Sequence, residues 1–353
     1  MKIAIVAPVI RRISNDTLYG GIERIIVSLA IGYADAGHSV VLYAPYGTDI
    51  VDENIEIRFT TEQDVVTMPE LVAQAEYNLF QRLLAEQDEF DLIHTHIEPI
   101  VAKAEDGNYY GRIAKPVLIT MHNQTHLPEN IEYYESHPEV HKLHFVFISH
   151  DQASPLPFLP HQTVIYNGIN IDHLVFNATP NLGQLAFLGR ITAEKGITEA
   201  IAIAKRANKK LIIAGAIDAT ETDYYEQEIK PQIDGQNVVY LGEVDNETKN
   251  TLLRTSEALV FPVQWHEPFG LVVVEAMATG TPVIVSGIGS MREIVEDDKT
   301  GFIVPEMGDI EAYAEKITRL SEISRSYCRQ VVEEKFTEDT MVANYLKLID
   351  TIV

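Results

Sequence analysis

With 353 residues the chain is long for one core and suits two domains of about 150 residues each. Apolar residues make up 46% and aromatic residues 8%, which excludes a disordered or low-complexity chain. The 52 acidic residues against 27 basic ones give a net charge of −25, which argues against a nucleic-acid partner and against steady docking on anionic lipid. Cys328 is the sole cysteine, so no intrachain disulfide can form, the reading favours a reducing cytoplasm, and no motif around it suggests a catalytic thiol.

Along the chain, apolar runs of strand length alternate with amphipathic stretches. Lys2 to Ala7 reads as a first strand; Arg11 and Arg12 follow the apolar run rather than precede it, opposite to a signal peptide. A helix over Gly21 to Gly37 and a strand over Ser39 to Ala44 complete a β-α-β start. Further strands are expected at Leu92–Thr95, Val117–Met121 and Phe145–Ile148. A second series runs Leu185–Leu188, Lys210–Ala214, Val238–Leu241, Ala258–Val263 and Pro282–Val285. Gly168 to Gly183, rich in Asn and without apolar periodicity, reads as the linker. Residues 47 to 70 and 98 to 142 look long and irregular for connections and are candidate acceptor loops, the latter with Tyr109, Tyr110, Tyr133 and Tyr134. No run approaches the roughly 18 apolar residues of a membrane span.

The most informative stretch is Trp265-His266-Glu267-Pro268-Phe269-Gly270-Leu271-Val272-Val273-Val274-Glu275-Ala276-Met277-Ala278. Pro268 and Gly270 suit a turn into a helix starting near Phe269, whose free N–H groups, from Phe269, Gly270 and Leu271, would face an anionic phosphate. Glu267 before the helix suits sugar hydroxyls, and Glu275, eight positions on, suits a ribose diol. The run Leu271 to Val274, with three β-branched valines, competes as a strand, but Glu275-Ala276-Met277-Ala278 favours helix.

Leu188-Gly189-Arg190-Ile191-Thr192-Ala193-Glu194-Lys195-Gly196 leaves a strand and enters a helix. Arg190 offers a planar fork and Lys195 a point charge, together suited to a diphosphate. Gly20 and Gly21, where the first connection enters its helix, let backbone N–H groups approach a second phosphate face. The dinucleotide fingerprint Gly-x-Gly-x-x-Gly is missing from the first strand exit, which counts against a nicotinamide-dependent oxidoreductase. His94, His96 and His126 are metal-like residue types without a third ligand at usable spacing, and Glu296-Asp297-Asp298 reads as a turn, so no metal site is expected.

Taken with Thr279-Gly280-Thr281-Pro282-Val283-Ile284-Val285, the Glu267 to Ala278 segment resembles the retaining glycosyltransferases of family 4, and the resemblance covers nearly the whole chain. It implies an α/β chain of the GT-B fold, with two Rossmann-like parallel-sheet domains facing across a cleft. Residues 1–170 would form an acceptor-side domain and 171–336 a donor-binding one, with a last helix over about 337–353 returning to the first domain. Tyr166-Asn167-Gly168-Ile169-Asn170 resembles the interdomain hinge.

The resemblance further implies a metal-independent hexosyltransferase, without cofactor, that moves a sugar from a nucleotide diphosphate sugar, a UDP- or GDP-sugar, to a small-molecule, glycan or glycoconjugate acceptor with retention. Arg190 and Lys195 would stabilise the leaving diphosphate, Glu267 would orient the sugar and His122 would stand near the reacting centre. Gly20, Gly21, Gly189, Phe269, Gly270, Leu271 and Glu275 would line the donor, with Val244 by the base. The chain departs from many relatives at Arg292-Glu293, where they carry Pro-Glu. A binding partner that has lost transfer is the alternative reading. The oligomeric state is left open.

Overall fold

The computed structural model describes residues 1–14, 20–62, 69–104 and 107–353. They form two compact units, residues 1–168 with 338–353, and residues 169–337.

In the first unit β1 (Lys2–Val6) leads to α1 (Gly21–Asp35), β2 (Ser39–Ala44), β3 (Ile55–Phe59), α2 (Pro69–Glu86) and β4 (Leu92–Thr95). A short antiparallel pair, β5 (Lys103–Ala104) and β6 (Gly107–Asn108), precedes β7 (Val117–Thr120), α3 (Pro128–Ser136), β8 (His144–Phe147), α4 (His150–Ala153) and β9 (Gln162–Val164). Seven strands form one parallel sheet in the order β3-β2-β1-β4-β7-β8-β9. Its central strands are covered on both faces, so Ile3, Ala4, Ile5 and Val6 are all buried and the run reads as continuously apolar rather than alternating.

The second unit comprises β10 (Gln184–Leu188), α5 (Ile197–Arg206), β11 (Lys210–Ala214), α6 (Thr222–Tyr224), β12 (Val238–Tyr240), α7 (Asn246–Thr255), β13 (Ala258–Phe261), α8 (Leu271–Ala278), β14 (Val283–Ser286), α9 (Met291–Ile294), β15 (Gly301–Val304), α10 (Ile310–Thr318) and α11 (Arg325–Lys335). Its six parallel strands are ordered β12-β11-β10-β13-β14-β15. In both sheets the chain winds outward to one edge, then returns to the middle and winds to the other. The reversal lies between β1 and β4 in the first sheet and between β10 and β13 in the second. Ligands of such sheets bind beyond the carboxyl ends of the strands at that reversal.

The last helix, α12 (Glu338–Ile352), belongs to the first unit and lies along α1. Gly32 makes the approach possible, since a Cβ there would sit 2.5 Å from Val342 Cγ1. Ser28 Oγ donates to Glu338 Oε2 at 3.0 Å, and buried Tyr345 reaches Thr120 Oγ1 at 2.8 Å.

Several boundaries correct the sequence reading. Residues 47 to 70 are not merely irregular: Ile55-Glu56-Ile57-Arg58-Phe59 alternates as an edge strand should, and α2 starts at Pro69. The span 98 to 142 likewise holds the β5/β6 pair and α3 beside the expected β7. Gly301 to Val304, after the Glu296-Asp297-Asp298 turn and absent from the expected strands, is the edge strand β15. The helix expected near Phe269 begins at Leu271, because Gly270 takes the left-handed conformation (φ 83°, ψ 60°) as its N-cap. At the departure from the relatives, the Arg292 side chain bonds the carbonyl of Gly287 at 2.7 Å and so ties its helix to the preceding loop.

Replacing Gly32 by Val should push α12 off α1 at a cost of about 1–3 kcal/mol, as overpacking does. A thermal melt should show the midpoint several degrees lower, and an unchanged midpoint would deny the close α1–α12 approach.

Candidate functional site

The two loops flanking the reversal of the second sheet converge on one ion pair. The loop after β10 carries Lys195 and the loop after β13 carries Glu267, and Lys195 Nζ lies 2.5 Å from Glu267 Oε2. Both side chains are only 11% exposed, so the charges meet largely out of water, where attraction is strong and an unmatched charge costly. Trp265 Nε1 donates to the same carboxylate oxygen at 3.0 Å. The Lys195 ammonium stands 4.5 Å from the centroid of the Trp265 ring and 6.0 Å from that of Phe261.

Backbone packing fixes both loops. Gly196, directly after Lys195, is left-handed (φ 74°), and a Cβ there would fall 1.9 Å from the carbonyl oxygen of Pro262. Gln264 N–H donates to the Glu194 carbonyl at 2.8 Å and ties one loop to the other. Behind Glu267, Gly289 (φ 63°) leaves no room for a Cβ, which would sit 2.5 Å from the Glu267 nitrogen. Ser290 N–H donates to the Glu267 carbonyl at 3.0 Å, and Ser290 Oγ to that of Phe269 at 2.8 Å.

Gly189 directly follows β10 and donates its N–H to the Ala214 carbonyl at 3.1 Å. The next residue, Arg190, is more open: its side chain is 43% exposed, bonds Asp218 Oδ2 at 2.8 Å and lies 3.7 Å from Glu194. Asp218 also accepts from the backbone and hydroxyl of Thr220, and these bonds, with Arg190 after them, hold its carboxyl below the usual range.

Glu275, on the second turn of α8, is buried and pairs with Lys249 of α7 at 2.7 Å. Lys249 lies 26 positions away in the chain, so no sequence pattern signalled the pairing. At the start of α8 no side chain caps the helix, and Leu271 and Val272 lie in its first turn, where backbone N–H groups have no intrahelical partner. Those groups and the positive helix end suit an anion. Val244 is half-buried between β12 and the Asp245 N-cap of α7. Thus Gly189, Arg190, Lys195, Val244, Glu267, Phe269, Gly270, Leu271 and Glu275 all belong to the second unit, on the loops and helices that follow β10, β12 and β13.

Gly20, Gly21 and His122 belong to the first unit, on connections leaving the carboxyl ends of β1 and β7. Gly20 is the N-cap of α1, without a side-chain cap bond; neighbouring Leu18 and Tyr19 lie outside the described residues. His122 joins a buried polar row. His96 Nδ1 lies 2.8 Å from His122 Nε2, and His94 bonds Tyr33 at 3.0 Å and Thr120 at 2.8 Å. Glu98, also buried, takes three N–H donors on one oxygen, from His122 N at 3.0 Å, Asn123 N at 2.8 Å and Asn123 Nδ2 at 3.1 Å. Glu98 and Trp265 carry no site signal of their own in the sequence, although each adjoins a motif: Glu98 follows His94-x-His96, and Trp265 opens the Glu267 segment.

Burial pushes the imidazoles of His94 and His122 down to about 3 and that of His96 well below its ordinary value. His122 therefore enters any chemistry near neutral pH as an uncharged hydrogen-bonding ring. His126 instead faces Asp151 at 2.9 Å. Cys328 is buried in α11, and burial lifts its thiol to about 12. Glu296 is bonded by Lys335, Tyr327 and Lys299 around the Asp298 turn.

Residues 174–335 match the family model of group 1 glycosyl transferases, and residues 19–173 match that of glycosyltransferase family 4. The two matches together span residues 19–335, so the chain is a glycosyltransferase whose second half matches group 1 and whose first half matches family 4. An uncharacterized glycosyltransferase of Methanocaldococcus jannaschii is 36% identical over 159 residues, 40% of this chain and 40% of that protein, so less than half of that relative's length is spanned. Phosphatidyl-myo-inositol mannosyltransferase of Mycobacterium leprae is 27% identical over 333 residues, 85% of this chain and 83% of the relative. Sucrose-phosphate synthase from Thermosynechococcus elongatus aligns with TM-score 0.79 at 19% identity, over 99% of this chain and 98% of that one. HepE of Anabaena in complex with UDP-glucose aligns with TM-score 0.74 at 19% identity, over 99% and 100% of the two chains. These structures share the GT-B fold. Among the described residues no helix is long and apolar enough to cross a membrane.

Gly196→Ala should force both φ and a carbonyl contact that alanine cannot meet, at a cost of about 1–3 kcal/mol; a melting midpoint equal to the native one would refute the tight turn. The histidine row sets a pH dependence. Between about 6.5 and about 3 the unfolded chain binds protons that buried His94 and His122 refuse, so stability is full above 6.5 and falls as pH drops through that window. Glu98, whose carboxyl burial raises, works in the opposite sense and offsets part of the loss. Melts from pH 7 to pH 4 should show a slope that His94→Gln flattens; an identical slope in the variant would contradict it.

Proposed function

We propose that the protein transfers a sugar from a nucleotide diphosphate sugar, UDP- or GDP-linked, to a hydroxyl of a small-molecule, glycan or glycoconjugate acceptor, with retention of anomeric configuration and without a metal. The observation that carries this reading is the meeting of Lys195 and Glu267 at the reversal of the second sheet, with Glu275 and the α8 N-terminus beside the same turn. Arg190 and Lys195 stabilise the diphosphate as the bond from sugar C1 to the β-phosphate oxygen breaks. Glu267 holds sugar hydroxyls, Glu275 the ribose, Gly189 and Val244 flank the nucleotide, and Phe269, Gly270 and Leu271 bring backbone to the phosphates.

Gly20, Gly21 and His122 are assigned to the donor on the family pattern, with His122 as a neutral hydrogen-bonding partner of the sugar. The acceptor oxygen bonds to C1, and its proton passes to the departing phosphate. The second unit is the donor domain and the first the acceptor domain in this reading. Relatives named as transferases favour transfer over a binding-only role. The sole cysteine, buried and reduced, suits a cytoplasmic setting.

Thermal unfolding with UDP, GDP, ADP and NAD in parallel tests it, because a ligand bound only to the folded state raises the midpoint. One diphosphate should stabilise the native chain and much less Arg190→Ala; no shift with any nucleotide would contradict the donor site. With donor and acceptor in hand, Glu267→Ala should lower transfer about 100-fold or more, and activity should survive EDTA; full rate in the variant, or loss with EDTA, would overturn these roles.

A further inference from the structure

We infer that Trp265 is a positioning residue of this site, holding the Glu267 carboxylate in place while the Lys195 ammonium is exchanged between that carboxylate and the donor diphosphate. The inference rests on the proposed donor reading and adds to it a residue that acts through two others. Trp265 is the only tryptophan of the chain.

Its two functional surfaces meet the two members of the ion pair. The indole N–H reaches Glu267 Oε2 at 3.0 Å, the oxygen that Lys195 approaches at 2.5 Å, and the ring face lies 4.5 Å from the same ammonium. An indole N–H donates and cannot accept, and it carries no charge. A phosphate therefore attracts it far less than it attracts an ammonium. A diphosphate brings more negative charge than one carboxylate and competes for Lys195. As the ammonium turns toward it, Glu267 loses its strongest partner. The N–H of Trp265 then remains to keep the carboxylate in its rotamer, with Oε1 open to sugar hydroxyls. The loop geometry supports that role: Glu267 N–H donates to the Trp265 carbonyl at 2.9 Å, so both residues sit in one tight turn backed by Ser290.

The inference makes Trp265 a reporter, since moving a cation from an indole face changes its emission. Calorimetry with UDP and with GDP first establishes which nucleotide binds the 353-residue chain. That nucleotide, titrated against tryptophan emission, should give a saturable change with the calorimetric Kd. In Lys195→Met the emission without nucleotide should already differ from the native one, and nucleotide should change it little. Glu267→Gln, which keeps the acceptor and removes the charge, serves as a second variant if Lys195→Met does not fold, and its starting emission should differ likewise.

Trp265→Phe keeps a ring but lacks the donor, and should lower kcat for hydrolysis of the matching nucleotide sugar about tenfold or more with KM nearly unchanged. Calorimetric binding without any emission change, or a Trp265→Phe enzyme with native kcat, would overturn the positioning role and leave the donor reading intact. Absence of binding by both nucleotides would overturn the donor reading and this inference with it.

Discussion

A charge pair held largely out of water, Lys195 with Glu267, is the constraint on which the second unit depends. Removing two ions from water is unfavourable unless their geometry is good and their remaining bonding capacity is met. The fold meets that condition through the residues that shape the two loops. Gly196 and Gly289 have no side chain where one would strike the opposite loop, Ser290 anchors the Glu267 backbone, and the Trp265 ring and N–H close over the pair. All of this sits where the sheet reverses its winding, the one edge position where two successive loops diverge and leave space for a ligand.

The same solution recurs beside it. Glu275 is buried against Lys249, and Arg190 is drawn to Asp218. Each residue assigned to the donor by charge thus has an internal counter-ion. On the proposed donor reading, a nucleotide diphosphate would compete with Asp218 for Arg190 and with Glu267 for Lys195 rather than meet bare charge. The first unit also buries a group of uncharged side chains: Tyr33, His94, Thr120 and Tyr345 bond in one chain, His96 bonds His122, the His94 and His96 rings meet at 4.6 Å, and burial keeps the imidazoles uncharged. Among the described residues, His96 Nε2 is a buried nitrogen without a hydrogen-bond partner in that row.

The sequence made the alternation of strands and helices legible because central parallel strands are apolar on both faces, as Lys2 to Val6 and Leu185 to Leu188 show. Edge strands were harder. Ile55 to Phe59 alternates and sits in a polar connection, and Gly301 to Val304 is only four residues after a turn. The helical reading of Leu271 to Ala278 was correct against a β-branched run, since burial of Val273, Val274, Ala276 and Met277 outweighs local propensity. The eight-residue spacing of Glu267 and Glu275 was visible, but their partners were not. Lys249 lies on α7 and Asp218 on another loop, at separations that carry no periodic signal, and nothing in the sequence pairs Lys195 with Glu267, 72 positions apart.

The most direct test of that pair is a double-mutant cycle on nucleotide affinity, measured by calorimetry with Lys195→Met, Glu267→Gln and the double variant. If the two side chains are coupled as described, Glu267→Gln changes affinity for the nucleotide diphosphate when Lys195 is present and has little effect when it is absent, a non-additivity of about 0.5–3 kcal/mol. Additive effects would mean that the two residues act independently, and would contradict the account.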